Sequence, residues 1–292
     1  MLGIWAAIGA STLYSLGIAL QAVDARDAPH EEHLRLALVR RLLTRARWLA
    51  GTGLSILGFP LQVLALALAP LVVVQPALAM GLVVLMAAAQ RLLDERPGRR
   101  EYVAMMAIVI GVIGAGLNAP ARGSTHSTSL TLALVLVGLG VASMLPYMLS
   151  LIGRPWPSIT MIGAGLAFAW SGVATKLASD DLTHGHLLVA LVWVLSTAAA
   201  SIVGMLSEMS ALQSRPAIQV APLVFVTQTV VPVVLAPLLL SERFTSTPLG
   251  GIPLAVSLAL LIAGAAILAR SPMLLALMER ERVNHPSGST PS

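Results

Sequence analysis

Long runs of apolar residues, separated by short polar connections, fill most of the chain. A helix needs about 20 mostly apolar residues to cross the hydrocarbon core of a bilayer. By that measure there are nine candidate spans, at residues 2–23, 48–69, 71–91, 102–119, 130–152, 158–178, 187–212, 217–240 and 249–269. The pattern predicts an all-α fold, a polytopic transmembrane helix bundle of about nine spans. Residues 271–292 are polar and rich in Pro and Ser, which predicts a disordered cytoplasmic tail.

The composition points to the same class of protein. The chain is 57% hydrophobic and 11% charged, whereas soluble domains are about one half apolar and about one quarter charged. We therefore expect an integral membrane protein whose partner is the lipid bilayer. The net charge of +5 does not indicate nucleic acid, because the arginines lie between apolar runs, where they set topology. The absence of cysteine excludes disulfides and thiolate metal sites.

The positive charges are distributed unevenly over the connections. Of the 18 Lys and Arg residues, 15 fall on one side of the predicted bundle and three on the other. Because Lys and Arg accumulate in cytoplasmic loops, the amino terminus is predicted outside and the carboxyl terminus in the cytoplasm of a bacterial inner membrane. The basic loop 24–47 contains a leucine-bearing helical pattern from residue 30. That segment is either an interfacial helix on anionic lipid or a loop that only enforces orientation.

One stretch of the chain occurs twice. Residues 57–95 align with residues 203–242 without a gap until one extra residue near the end. The likeness extends to spans one and six and to spans four and nine, so five spans form a first repeat (1–152) and four a second (153–270). Because five is odd, the second repeat enters the membrane the other way up, and inverted repeats are typical of alternating-access carriers. The matched pairs are Gly58 with Gly204, Gln62 with Glu208, Ala65 with Ala211, Leu66 with Leu212, Pro70 with Pro216, Pro76 with Pro222, Glu95 with Glu242, Gly17 with Gly172 and Gly114 with Gly264.

The alternating short spans, the run ALALAPLVVVQPAL and the Leu-Leu-x-Glu endings at 92–95 and 239–242 resemble the drug/metabolite transporter superfamily. The likeness is strongest to EamA-type permeases and NIPA-like magnesium transporters, and it implies secondary transport. Where the NIPA-like pattern has a glutamate and a tyrosine, this chain has Phe59 and Leu66. Because Mg²⁺ requires oxygen ligands, this departure weighs against magnesium.

Ionisable residues at membrane depth are costly, which makes them candidates for function. Glu208 is the one that sits well inside an apolar run. It either couples transport to a proton or pairs with Lys176 and fastens two helices. As the repeat partner of Gln62, it is expected to approach that residue across the twofold axis.

Further polar residues are candidates for the wall of a midplane substrate pathway. Each glutamine amide either contacts substrate in the pathway or makes a hydrogen bond that packs two helices. Lys176 either attracts an anion or extends to the membrane interface. Tyr14 either stacks on a substrate or packs in the bundle. Prolines in the duplicated stretch predict bending of spans three and eight. The pathway set is Glu208, Gln62, Gln75, Gln228, Gln219, Lys176 and Tyr14, and the helix-kink set is Pro70, Pro76, Pro216, Pro222 and Pro232.

The sequence offers no catalytic constellation, and we expect no enzyme activity, metal site or cofactor. The acidic and histidine-bearing connection 178–186 fits no metal motif and reads as a solvated loop. The predicted function is a carrier for a small metabolite, a drug-like compound or a cation. The alternatives are a divalent-cation transporter and a non-transporting membrane scaffold, and a homodimer is left open.

Overall fold

The computed structural model describes residues 2–68, 77–78, 80–118, 129–152, 157–183, 185–240 and 251–270. Within these ranges the chain is helical and contains no strand, which confirms the predicted all-α class. The helices are α1 (Leu2–Arg26), α2 (Leu36–Leu42), α3 (Ala46–Leu68), α4 (Gly81–Leu92), α5 (Arg99–Leu117), α6 (Ser129–Leu151), α7 (Pro157–Thr183), α8 (Leu187–Leu212), α9 (Ala217–Leu240) and α10 (Ile252–Ala269).

A helix overlaps each of the nine predicted segments, and α8 and α9 have the predicted limits. By length and composition, three stretches of the described helices are long and apolar enough to cross a membrane, namely Leu2–Arg26, Leu132–Leu151 and Leu187–Leu212. Shorter apolar helices occur at Gly81–Leu92, Ser158–Ala174, Ala217–Pro232 and Ile252–Leu268. Their length and apolar composition are compatible with a membrane protein, and crossing by all nine segments stays a prediction.

Helix packing follows the same scheme in the two halves of the chain. In the first half, α1 packs most extensively on α3 and then on α4. In the second half, α7 packs most extensively on α8 and then on α9. Helices α5 and α10, which correspond to the fourth predicted span of each half, pack on each other.

Large apolar side chains cover the outward faces of several helices. On α8, Leu188, Leu191 and Leu195 are exposed, and on α6 Leu134 and Val137 are exposed. Apolar patches of this extent on a monomer indicate contact with another apolar phase. The continuous backbone hydrogen bonding of helices suits them to lipid.

The basic segment between α1 and α3 folds back onto one end of the bundle. Its short helix α2 buries Leu38 and Leu42 in the main hydrophobic cluster, while Leu36 and Arg40 are exposed. On its outer side, a hydrogen bond to Glu32 raises the pKa of the Arg41 guanidinium. The segment is therefore an ordered helix packed on protein, and its exposed face is the one that could meet lipid headgroups.

Candidate functional site

Tyr14 and Gln62, two residues predicted for the pathway, are hydrogen-bonded to each other. The Tyr14 hydroxyl on α1 donates to Gln62 Oε1 on α3 at 2.8 Å. The Tyr14 ring reaches this position because it lies on Gly58, where a Cβ would come within 3.2 Å of a ring carbon. Gly58 therefore provides the room, and Gln62, one helical turn further on, accepts the hydrogen bond.

The second half repeats this contact with different chemistry. The Phe168 ring of α7 lies on Gly204 of α8, where a Cβ would meet ring carbons at 2.9–3.0 Å. Phe168 aligns with Tyr14, and Gly204 aligns with Gly58. One turn beyond Gly204 stands Glu208, at the place that Gln62 occupies in the first half. Phenylalanine has no hydroxyl, so the hydrogen bond that Tyr14 makes has no counterpart.

The contact between α5 and α10 also follows the repeat. A Cβ on Gly111 would lie 2.8 Å from a side-chain carbon of Leu261, which is the residue that aligns with Gly111. Gly114 lies against Ser257, and its partner Gly264 lies against Ile108. Contact between two aligned residues is expected where a twofold axis relates the two helices and passes between them.

Glu208 lies close to the end of α8 and is buried, with 8% of its surface exposed. Among the described side chains, none makes a hydrogen bond or ion pair with its carboxyl group. The adjacent Ser207 shares a hydrogen bond of 3.0 Å with the Tyr147 hydroxyl of α6, which also donates to the Val203 carbonyl at 3.3 Å. The Tyr147 hydroxyl is therefore hydrogen-bonded to the neighbour of Glu208 and not to Glu208 itself.

The suggested pairing of Glu208 with Lys176 stays a prediction, because the Lys176 side chain lies outside the described residues. On α7, the Lys176 backbone lies two turns beyond Phe168, whereas Glu208 lies one turn beyond Gly204 in the opposite direction. The helical rise separates the two backbones by roughly 18 Å along the helices.

Gln62 and Glu208 also lie at different depths, so the expected direct approach is not observed. The Trp48 indole near the start of α3 donates to Met209 Sδ at 3.3 Å, next to Glu208. Gln62 lies roughly 21 Å further along α3. The prediction that these two residues approach each other is therefore wrong.

The other predicted residues occupy separate places. Gln219, near the start of α9, is fully buried, and its amide nitrogen and oxygen have no hydrogen-bond partner among the described residues. Gln228 is half-buried in the middle of the same helix. Pro222 and Pro232 lie within α9, which continues as an α-helix from Ala217 to Leu240, while Pro216 lies just before it. Gln75, Pro70, Pro76 and the tail 271–292 lie outside the described residues.

Two buried carboxylates that the sequence did not single out as site residues close one end of the bundle. Glu95, which follows α4, accepts hydrogen bonds from the backbone N–H groups of Ala217 and Ile218 at 2.7 and 3.0 Å and forms an ion pair with Arg26. Asp24 of α1 accepts from the Trp48 backbone N–H at 2.8 Å. Each carboxylate thus satisfies free N–H groups at the start of α9 or α3. We call this the capped end of the bundle.

Further contacts hold the chain against the capped end. Ser210 Oγ accepts from the Leu34 backbone N–H at 2.9 Å, and Gln213 Nε2 donates to the Pro29 carbonyl at 3.1 Å. Partial burial lowers the pKa of Arg215, in the connection from α8 to α9. The capped end is therefore tied by polar contacts, and Glu208 lies just inside it.

At the other end of α7, Asp181 accepts a hydrogen bond from the Trp193 indole at 3.1 Å and lies 3.2 Å from His186 Nδ1. In the described part of the chain, no group of three His, Cys, Asp or Glu residues has the arrangement of a metal site.

Comparison of this chain with protein-family models, with curated proteins and with solved structures finds no match.

Proposed function

We propose that this protein is a secondary carrier of the drug/metabolite transporter type, which moves a small metabolite, a drug-like compound or a cation across a bacterial inner membrane. Its two repeats would rock against each other about the α5–α10 contact and expose a central pathway to each side in turn. The amino terminus would lie outside, and the capped end, with its arginines, would face the cytoplasm.

The observation that carries this proposal is the aromatic ring on a glycine that recurs at Tyr14–Gly58 and Phe168–Gly204. A repeated contact at aligned positions supports two halves with the same fold. The contact of Gly111 with Leu261 supports a twofold relation between them. In carriers built from inverted repeats, each half can adopt the conformation of the other, and this exchange opens the opposite side of the membrane.

The polar residues support a pathway rather than a packed scaffold. Gln219 is buried with both amide atoms unpaired among the described residues. A buried polar group without a hydrogen bond costs about 1–3 kcal/mol. Glu208 adds a second polar side chain in the interior, 8% exposed, whose carboxyl group makes no hydrogen bond to the described side chains. A scaffold would lose nothing by replacing both with apolar residues, whereas a carrier requires groups that are free to bind.

Cysteine accessibility from the two sides of the membrane tests the proposal. The chain contains no cysteine, so Gln228→Cys gives a single thiol in the middle of α9. In sealed vesicles, a membrane-impermeant maleimide should label it from either side, because each conformation opens one route. Thr44→Cys, exposed beside α2, should react from one side only, and Val194→Cys, exposed on the apolar face of α8, from neither. Labelling of position 228 from one side or from neither would favour a scaffold and contradict the carrier.

A further inference from the structure

The two halves differ at one pair of positions in a correlated way. In the first half a tyrosine accompanies a glutamine, and in the second half a phenylalanine accompanies a glutamate. The helix register is the same in both, because the ring of Tyr14 or Phe168 lies on the glycine one turn before the polar residue. The change from Tyr to Phe removes one hydroxyl from the place where the change from Gln to Glu introduces a carboxyl.

The consequence is a difference in hydrogen bonding. The Gln62 amide oxygen receives the Tyr14 hydroxyl at 2.8 Å. A hydroxyl in the corresponding place on α7 would donate to Glu208 and would favour its ionised form. Without that donor, the ionised carboxylate in its buried position is disfavoured, and the group can take up a proton without breaking a hydrogen bond to α7.

We propose that Phe168 is a positioning residue that keeps the Glu208 carboxyl open for exchange of a proton by withholding the hydroxyl that Tyr14 supplies to Gln62. This inference rests on the proposed carrier function and makes the second repeat the proton-exchanging half. The first repeat carries an amide at the aligned position, Gln62, whose oxygen is already hydrogen-bonded to Tyr14, and it serves as the fixed counterpart.

The charged surroundings of Glu208 are sparse. Helix α9 has no charged residue, and those of α7 lie at Lys176 and beyond, far from Glu208 along the register. From α6, Tyr147 bonds to the neighbouring Ser207. At the capped end, His33 contacts Gln213 at 3.4 Å. The charged residues of α1 and α2 at that end are Asp24, Arg26, Arg40 and Arg41, of which Asp24 bonds to Trp48, Arg26 to Glu95 and Arg41 to Glu32.

The test compares Phe168→Tyr with Glu208→Gln in the full chain. A hydrophobic carbodiimide, which adds to protonated carboxyl groups in apolar surroundings, is applied in liposomes, and mass spectrometry of peptides locates the adduct. In the wild type we expect labelling at Glu208 that becomes slower as pH rises. Phe168→Tyr should slow it about fivefold at neutral pH, the factor given by one net hydrogen bond. Phe59→Tyr, which adds a hydroxyl on the exposed face of α3, should leave the rate unchanged.

A gain-of-function variant guards against misfolding as an explanation. Tyr14→Phe combined with Gln62→Glu reproduces the second-half pair in the first half and should create a second labelled carboxyl at position 62. Gln62→Glu alone, with Tyr14 kept, should label about fivefold more slowly there.

The outcomes separate the two proposals. If wild-type Glu208 is labelled but Phe168→Tyr does not change the rate, the role of Phe168 is wrong and the carrier stands. If Glu208 is not labelled at any pH, proton exchange at this site is wrong. The carrier itself is judged by the two-sided labelling of position 228.

Discussion

Loss of the negative charge at Glu95 should weaken the capped end more than any surface substitution. Glu95→Gln keeps the size of the side chain and removes its charge. In the native protein this carboxylate is 1% exposed and is bonded to the Arg26 side chain and to the Ala217 and Ile218 N–H groups. The amide would keep one acceptor oxygen but would turn its NH₂ group towards donors.

The magnitude follows from what is left unpaired. Removing one partner of a buried ion pair costs about 3–5 kcal/mol, because the other charge stays buried. Arg26 is 25% exposed, so water recovers part of that loss and the lower limit, about 3 kcal/mol, applies. With 2–4 °C per kcal/mol for a chain of this size class, the apparent melting temperature should fall by roughly 6–12 °C.

The assay is thermal unfolding of the purified protein in detergent, with Asp94→Asn as the matched control. Asp94 is the neighbouring acid, its side chain is 66% exposed, and it pairs with Arg96 at 3.4 Å. Its φ of 50° is tolerated by asparagine. The control should change stability by less than about 1 kcal/mol, as expected for an exposed ion pair. Equal melting temperatures for the two variants would refute the assignment of Glu95 as a structural cap.

Three further substitutions test the packing by the same melting assay. Gly17→Ala should destabilise the fold by about 1–3 kcal/mol, because its Cβ would lie 2.7 Å from a backbone oxygen of α3. Its control is Gly53→Ala, where a Cβ would meet nothing within 4 Å. This control should be neutral or stabilising by up to about 1 kcal/mol. Leu38→Ala should cost about 2–5 kcal/mol because that side chain is fully buried, and Leu36→Ala, at a position 71% exposed, should have little effect. Asp24→Ala should cost about 0.5–2 kcal/mol through loss of a cap on α3. Equal effects within either matched pair, or no effect at Asp24, would contradict the packing described.

Features that depend on local sequence were predicted well. The limits of α8 and α9 follow from apolar runs bounded by polar residues, and the helical class follows from the length of those runs. The alignment pairs Gly58 with Gly204 but gives no reason for the two glycines. The structure supplies the reason, because an aromatic ring lies on each of them. The sequence leaves two alternatives for the basic segment because its polar and apolar faces are poorly separated at the helical period. Burial of Leu38 and Leu42 is decided by the bundle on which the segment packs.

Features that depend on distant partners could not be predicted. Glu95 bonds to residues more than a hundred positions away, and its aligned position near the end of a span gave no sign of burial. The sequence pattern places Asp24 in a cytoplasmic loop, whereas α1 continues to Arg26 and presents this carboxylate to the Trp48 backbone N–H. The proposed role of Phe168 depends on the hydrogen bond between Tyr14 and Gln62, because the sequence pattern leaves Tyr14 between substrate stacking and packing and does not single out Phe168.

The rocking of one repeat against the other is tested most directly by two spin-label distances measured in the same lipid. One pair joins Arg45 and Arg215 at the capped end, and the other joins Leu2 and Leu187 at the opposite end, with each residue replaced by a labelled cysteine in the natively cysteine-free chain. Alternating access predicts two populations for each pair, and conditions that lengthen one distance should shorten the other. A single distance at both ends, unchanged between pH 5 and pH 9 in the wild type and in Glu208→Gln, would contradict it.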